Sequence, residues 1–220
     1  MNMTLRIRLV ILLLSLVSVS TNASASADVE LRDIYLEVNA QNLREGFYTY
    51  NNLCRLCHNL KYIKYSNLSD VGLSKHEIDV LRGTNGVSDT LAASMPPSVA
   101  NQAFGKVPPD LSLMAKARKN GTHYIYTLLT SYYEKSEAVY DNHLFQGIRM
   151  PDIFEYSVTE NPKDKELIDK RVQQVALFLE WAADPKRDER KSMGVFVIAY
   201  LMVLTLLLFF LKRRIWANLQ

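Results

Sequence analysis

The apolar run near the C-terminus constrains this chain most. Residues 194–211 (GVFVIAYLMVLTLLLFFL) hold 18 positions without a charge, and apolar side chains would cover every face of a helix formed there. At about 1.5 Å per residue such a helix is roughly 27 Å long, enough for the hydrocarbon core of a bilayer. Lys212, Arg213 and Arg214 close the run, and Trp216 follows at interfacial depth. Basic residues beside a span favour the cytoplasmic side. The expectation is one transmembrane helix over 194–211 and a cytoplasmic tail over 212–220. A buried core helix would not need a basic stop. The residues before the span must then lie outside the cytoplasm.

The other end agrees. Residues 1–27 read as a cleaved signal peptide, with Arg6 and Arg8 ahead of a short apolar stretch over 9–19 (LVILLLSLVSV). Ala23-Ser24-Ala25 and Ala25-Ser26-Ala27 offer two overlapping cleavage sites. The stretch is too short for a membrane span. Between the two ends, residues 28–193 are expected to form one exported domain with a charged link, 184–192 (DPKRDERKS), into the membrane. Of 26 Lys and Arg, Arg6, Arg8, Lys212, Arg213 and Arg214 lie outside this domain. That leaves 21 against all 23 Asp and Glu, a net charge near −2. The basic balance belongs to the targeting and membrane segments, and nothing suggests a nucleic-acid surface.

Two cysteines in an exported protein would ordinarily suggest a disulfide. Here they stand as Cys54-Arg55-Leu56-Cys57-His58, a C-x-x-C-H sequence, the attachment signature of a c-type haem. Residues three and four apart on a helix share a face. Cys54, Cys57 and His58 can therefore meet one porphyrin, the thiols adding to its vinyl groups and the imidazole binding iron. A redox-active C-x-x-C would be expected near a βαβ pattern, which is absent from the sequence. A zinc site would need further ligands at matching spacing, and there is no third cysteine.

Helical periodicity surrounds the motif. Leu43, Phe47, Tyr50, Leu53, Cys54 and Cys57 place it at the end of an amphipathic helix. A second helix is expected over 165–183, with Val172, Val175, Leu179 and Ala182 on one stripe and Pro185 as stop. Pro108-Pro109-Asp110-Leu111-Ser112 reads as a turn, capped by Asp110 or Ser112, into a helix over 111–119 that ends at Asn120-Gly121. A tyrosine-rich helix over 123–133 follows. Little sheet is expected, so the fold class is all-α.

A haem iron held by His58 takes Met or His as sixth ligand in electron-transfer cytochromes. The candidates in the domain are Met95, Met114, Met150, Met193, His76, His123 and His143. Met150 stands out because it sits in a loop, Gly147-Ile148-Arg149-Met150-Pro151-Asp152, where Pro151 biases it toward extended backbone. Met95, before Pro96-Pro97, is the rival. Met114 falls in an expected helix and His76 in a polar helical stretch, while His123 and His143 read as cap or loop residues.

Taken in order, these segments resemble the cytochrome c1 family. GFYTYNNLCRLCHNLKYIKYSNL is similar to that family's haem-attachment region. FGKVPPDLSLMAKAR resembles its Pro-Pro-Asp-Leu-Ser motif and following arginine, and HYIYTLLTSYY its tyrosine-rich helix. YDNHLFQGIRMPD resembles the axial-methionine loop, and FLEWAADPKRDERKSMG with the apolar run resembles the C-terminal anchor. The resemblance implies a cytochrome c-like haem domain with His58 and Met150 as axial ligands and Cys54 and Cys57 as thioether attachments. It also implies Arg118 as partner of a haem propionate and Tyr124 as a pocket residue. One haem c would pass electrons from a Rieske iron–sulfur subunit to a cytochrome c. The setting would be a dimeric quinol–cytochrome c reductase containing cytochrome b, on the periplasmic face of a bacterial inner membrane. The chain departs from the family at Arg149 and Asp152, where Ala or Gly and further prolines are common, and at Ser131, where glycine is common. A stand-alone anchored cytochrome and an exported thiol–disulfide protein are the competing readings.

Overall fold

The computed structural model describes residues 29–137 and 139–217. The signal peptide and the last three residues of the tail lie outside the described residues. Two helices organise the haem-motif end of the domain. Helix α1 (Ala40–Thr49) starts at Asn39, whose side chain accepts from the Asn42 N–H, and runs into a π-helical turn, Tyr50–Cys54. Helix α5 (Pro162–Ala183) opens with proline at its first position, and Asn161 accepts from the Lys163 N–H. Both starts use groups that satisfy N–H donors a helix leaves unpaired.

The helices cross at Gly46, where a Cβ would lie 2.1 Å from the Gln174 carbonyl oxygen. No larger residue allows that approach. Around the crossing Phe47 meets Phe178 edge-on at 5.7 Å, and Phe178 stacks on Trp181 at 5.6 Å. Val172, Val175, Leu179 and Ala182, the stripe read from the sequence, are all buried. The neighbouring glutamines are buried as well, and each has a partner. Gln173 accepts from the Tyr35 and Leu36 N–H groups, and Gln174 donates to Asn42. Pairing of this kind removes most of the cost of burying an amide.

The rest wraps this pair. Strand β1 (Leu60–Lys64) pairs antiparallel with β2 (Thr90–Leu91). Between them lie a 3-10 helix (Tyr65–Val71) and helix α2 (Lys75–Arg82), which begins with a Ser74–Glu77 capping box. Helix α3 (Pro97–Phe104) follows, then α4 (Gly121–Leu129) and a hairpin of β3 (Tyr132–Ser136) and β4 (Val139–Asn142). Sheet is confined to these two small pairs among the described residues. The all-α reading holds.

Two local expectations are corrected. Residues 111–119 form successive turns rather than a helix, because the Leu111 N–H donates to the Asn59 carbonyl and ties the segment to the β1 end. The tyrosine-rich helix ends at Leu129, and Tyr132 and Tyr133 enter β3, where aromatic side chains fit a pleated surface. The charged link is largely helical. Helix α6 (Arg187–Ala217) begins within it and contains the whole apolar run. Ion pairs from Arg190 to Asp184 and from Arg187 to Glu180 fasten its start to the end of α5, and Lys116 from the 111–119 turns also pairs with Asp184. These partners hold the Asp184 carboxyl down at about 2, Arg190 contributing most. Helix α6 is long and apolar enough to cross a membrane, and its apolar side chains are exposed.

Candidate haem site

A cavity of about 360 Å³ opens between the turn that follows α1, residues 104–118, α4, α5 and the loop after β4. All six residues singled out in the sequence line it: Cys54, Cys57, His58, Arg118, Tyr124 and Met150. Leu53, Ile125, Leu128, Val175 and Leu179 complete an apolar wall.

The motif's geometry comes from the π-helical turn. The Arg55 N–H reaches the Tyr50 carbonyl at 2.8 Å, a five-residue step that widens the helix. The chain then tightens, with the Cys57 and His58 N–H groups both donating to the Cys54 carbonyl, at 3.1 and 2.8 Å. That turn sets the three side chains of the motif against one cavity. The buried Tyr50 phenol closes the unit by donating to the His58 carbonyl at 2.9 Å.

The His58 ring is oriented by a group that the sequence did not reveal. Its Nδ1 lies 2.8 Å from the Pro109 carbonyl. A carbonyl can only accept, so Nδ1 carries the proton and Nε2 keeps its lone pair, the form a metal ligand needs. Burial lowers the His58 pKa, against smaller upward contributions from the Pro109 bond and Asp110. The carbonyl is held in place by its own segment. Asp110 accepts from the Lys61 and Ser112 N–H groups, and Ser112 accepts from the Tyr62 N–H. The Pro-Pro-Asp-Leu-Ser residues are therefore a brace beside β1 rather than a helix cap.

Cys54 is buried and Cys57 half-buried, and they are not bonded to each other. Burial, with a smaller contribution from Cys57, pushes the Cys54 thiol up to about 12, and burial also raises Cys57. A dithiol built for exchange is activated in the opposite direction.

Met150 enters the cavity from a loop anchored by side chains. The buried Asp141 accepts from the Asn142 and Gly147 N–H groups, and Asn142 accepts from the Leu144 and Phe145 N–H groups while donating to the Leu128 carbonyl. The Tyr132 phenol donates to the Met150 carbonyl at 3.1 Å. Met114 also lines the cavity, whereas Met95, His76, His123 and His143 do not. His143 instead stacks on Tyr133 at 4.2 Å.

The cavity's charged lining is cationic. Lys106, Arg118 and Arg149 contribute to it, and no Asp or Glu does. Arg118 is exposed, its guanidinium 5.8 Å from the centre of the Tyr124 ring. Two thiols, an imidazole with one nitrogen free, a thioether, apolar walls and a cationic lining fit the chemistry of a haem with two carboxylates.

The comparisons with known proteins follow the same line. The model of the cytochrome C1 family matches residues 30–94 and 81–219. Cytochrome c1 of Rhodospirillum rubrum is 32% identical, over 88% of this chain and 87% of its own. A mitochondrial cytochrome c1 haem protein of Solanum tuberosum is 30% identical over 81% of this chain, which spans 65% of that protein. A Nitrosomonas europaea protein named as the gamma subunit of ammonia monooxygenase is 25% identical, over 83% of this chain and 85% of its own. Family model, relatives and cavity agree: the chain belongs to the cytochrome c1 family.

Proposed function

We propose that this chain is the c-type cytochrome subunit of a quinol–cytochrome c reductase, carrying one covalent haem between a Rieske iron–sulfur subunit and a cytochrome c. The observation that carries the reading is the convergence of Cys54, Cys57, His58 and Met150, from segments far apart in sequence, on one apolar cavity. Cys54 and Cys57 hold the haem by thioethers, and His58 and Met150 bind iron. The bound haem supplies reversible one-electron chemistry, and the protein sets its potential.

Each residue then has a physical task. Pro109 fixes the imidazole tautomer and orientation through Nδ1. Met150 supplies a thioether, which favours reduced iron and raises the potential. The leucine, isoleucine and valine walls exclude water, while Arg118, beside Tyr124, would meet a propionate with its forked donors. No proton transfer or nucleophile is required. Helix α6 anchors the domain in a bacterial inner membrane, the domain in the periplasm and residues 212–220 in the cytoplasm. Cytochrome b and the Rieske protein are its neighbours in a dimeric complex.

The test is a reduced-minus-oxidised spectrum of the gently solubilised, tag-purified native protein, with haem extraction. Covalent c haem accompanied by b haem and a Rieske signal is the expected result. Covalent c haem alone would favour a stand-alone carrier, and co-purified monooxygenase subunits would favour the role named for the Nitrosomonas relative. A protein without covalent haem would overturn the proposal.

A further inference from the structure

Arg149 stands immediately before Met150 and lines the same cavity. Its guanidinium turns toward α3, where NH1 donates to the Phe104 carbonyl at 3.1 Å. That carbonyl belongs to the last turn of α3, whose oxygens lack partners within the helix, and a cation suits this negative end. The next residue makes room. Gly105 has φ +69, and a Cβ added there would lie 2.3 Å from Arg149 NH1. Phe104 and Lys106 line the cavity on that side. One side chain therefore joins two segments, 104–106 and 149–150, that lie far apart in sequence.

We propose that Arg149 is a positioning residue for Met150. Its guanidinium pins the methionine loop to the C-terminal end of α3 and keeps the thioether on the iron. The inference rests on the haem reading above. The Asp141 and Asn142 bonds hold the loop ahead of the methionine, and Tyr132 holds the Met150 carbonyl. Arg149 alone among these ties the residue beside the methionine to α3. Without it the loop can swing outward and open the sixth coordination position.

Carbon monoxide tests this directly, because it binds ferrous haem only where that position opens. The experiment uses the intact membrane holoprotein as wild type, Arg149→Ala, Arg149→Lys and Gly105→Ala. It reads carbon monoxide binding, the long-wavelength absorption of methionine-ligated ferric haem, the midpoint potential and covalent haem content. Wild type should be closed to carbon monoxide. Arg149→Ala and Gly105→Ala should bind it about tenfold or more faster, the scale of losing an outer-shell partner of a metal ligand. Both should also lose much of the methionine band. Arg149→Lys, which can still donate to Phe104, should stay closed. Covalent haem content should be equal throughout, since the thioethers lie on another segment.

Gly105→Ala keeps the positive charge while displacing it, which separates position from charge. A lower potential in Arg149→Ala with carbon monoxide binding unchanged would overturn the proposal and leave only an electrostatic effect. A closed Gly105→Ala protein would overturn it too. If that variant fails to fold, the Arg149 pair decides the matter. Wild type that binds carbon monoxide freely would sink the methionine assignment itself, and the positioning role with it.

Discussion

The two sides of the cavity are built differently. On the histidine side, α1 crosses α5 at Gly46, buried aromatic rings pack across the crossing, and the Pro109 carbonyl fixes the His58 ring. On the methionine side, the loop after β4 hangs from Asp141, Asn142, Tyr132 and Arg149 side chains. The first side resists movement through packed volume, where small changes are felt strongly. The second resists through a few polar contacts, each worth about 1 kcal/mol. On the proposed haem reading, the attachment side is the rigid reference and Met150 the adjustable ligand. Adjusting a ligand changes the potential without endangering the fold.

Four changes sharpen or break this contrast. Gly46→Ala drives a Cβ onto the Gln174 carbonyl, and overpacking of that kind should cost roughly 3 kcal/mol, read as a lowered thermal midpoint and poor haem incorporation. Met150→Ala should leave folding and covalent haem nearly intact. Its midpoint potential should fall by something on the order of 100 mV, measured by redox titration, since axial ligands dominate the potential. Tyr132→Phe removes one donor to the Met150 carbonyl and should cost about 1 kcal/mol in thermal unfolding, with a smaller change in potential.

Acid gives the smallest effect and the clearest order of events. The Asn142 and Gly147 N–H groups hold the Asp141 carboxyl below the usual aspartate range, with Lys135 adding to the effect. A lowered native pKa stabilises the fold above the ordinary pKa, and that support vanishes as pH falls through the lowered value. The methionine band should therefore begin to weaken in acid before far-ultraviolet helicity falls. Simultaneous loss of both signals would mean that the two sides are not mechanically distinct.

The sequence made some of this visible for physical reasons. Cys54, Cys57 and His58 are legible because one helical turn brings them together, so their spacing alone carries the geometry. The α5 stripe is legible because burial follows helical period. Met150 and Met95 both precede a proline, so Met95 stayed a rival, and Met114, which also reaches the cavity, read as helix packing. The Pro109 carbonyl was not legible. It is a backbone group, and its placement depends on Asp110 and Ser112 bonding to β1 residues about 50 positions away. The same tertiary bonds explain why the helix expected over 111–119 is replaced by turns. Tyr132 and Tyr133 left the expected helix because pairing with β4 outweighed a local pattern. Arg149 was visible as a departure from the family, while its partner Phe104 was not, since 45 residues separate them.

The most direct measurement is iron X-ray absorption on the purified holoprotein, wild type against Met150→Ala. Wild type should give one axial imidazole and one axial sulfur, and the variant should lose the sulfur while keeping the imidazole. Sulfur scattering that persists in Met150→Ala would contradict the account and point to Met114, the other methionine of the cavity, as the ligand.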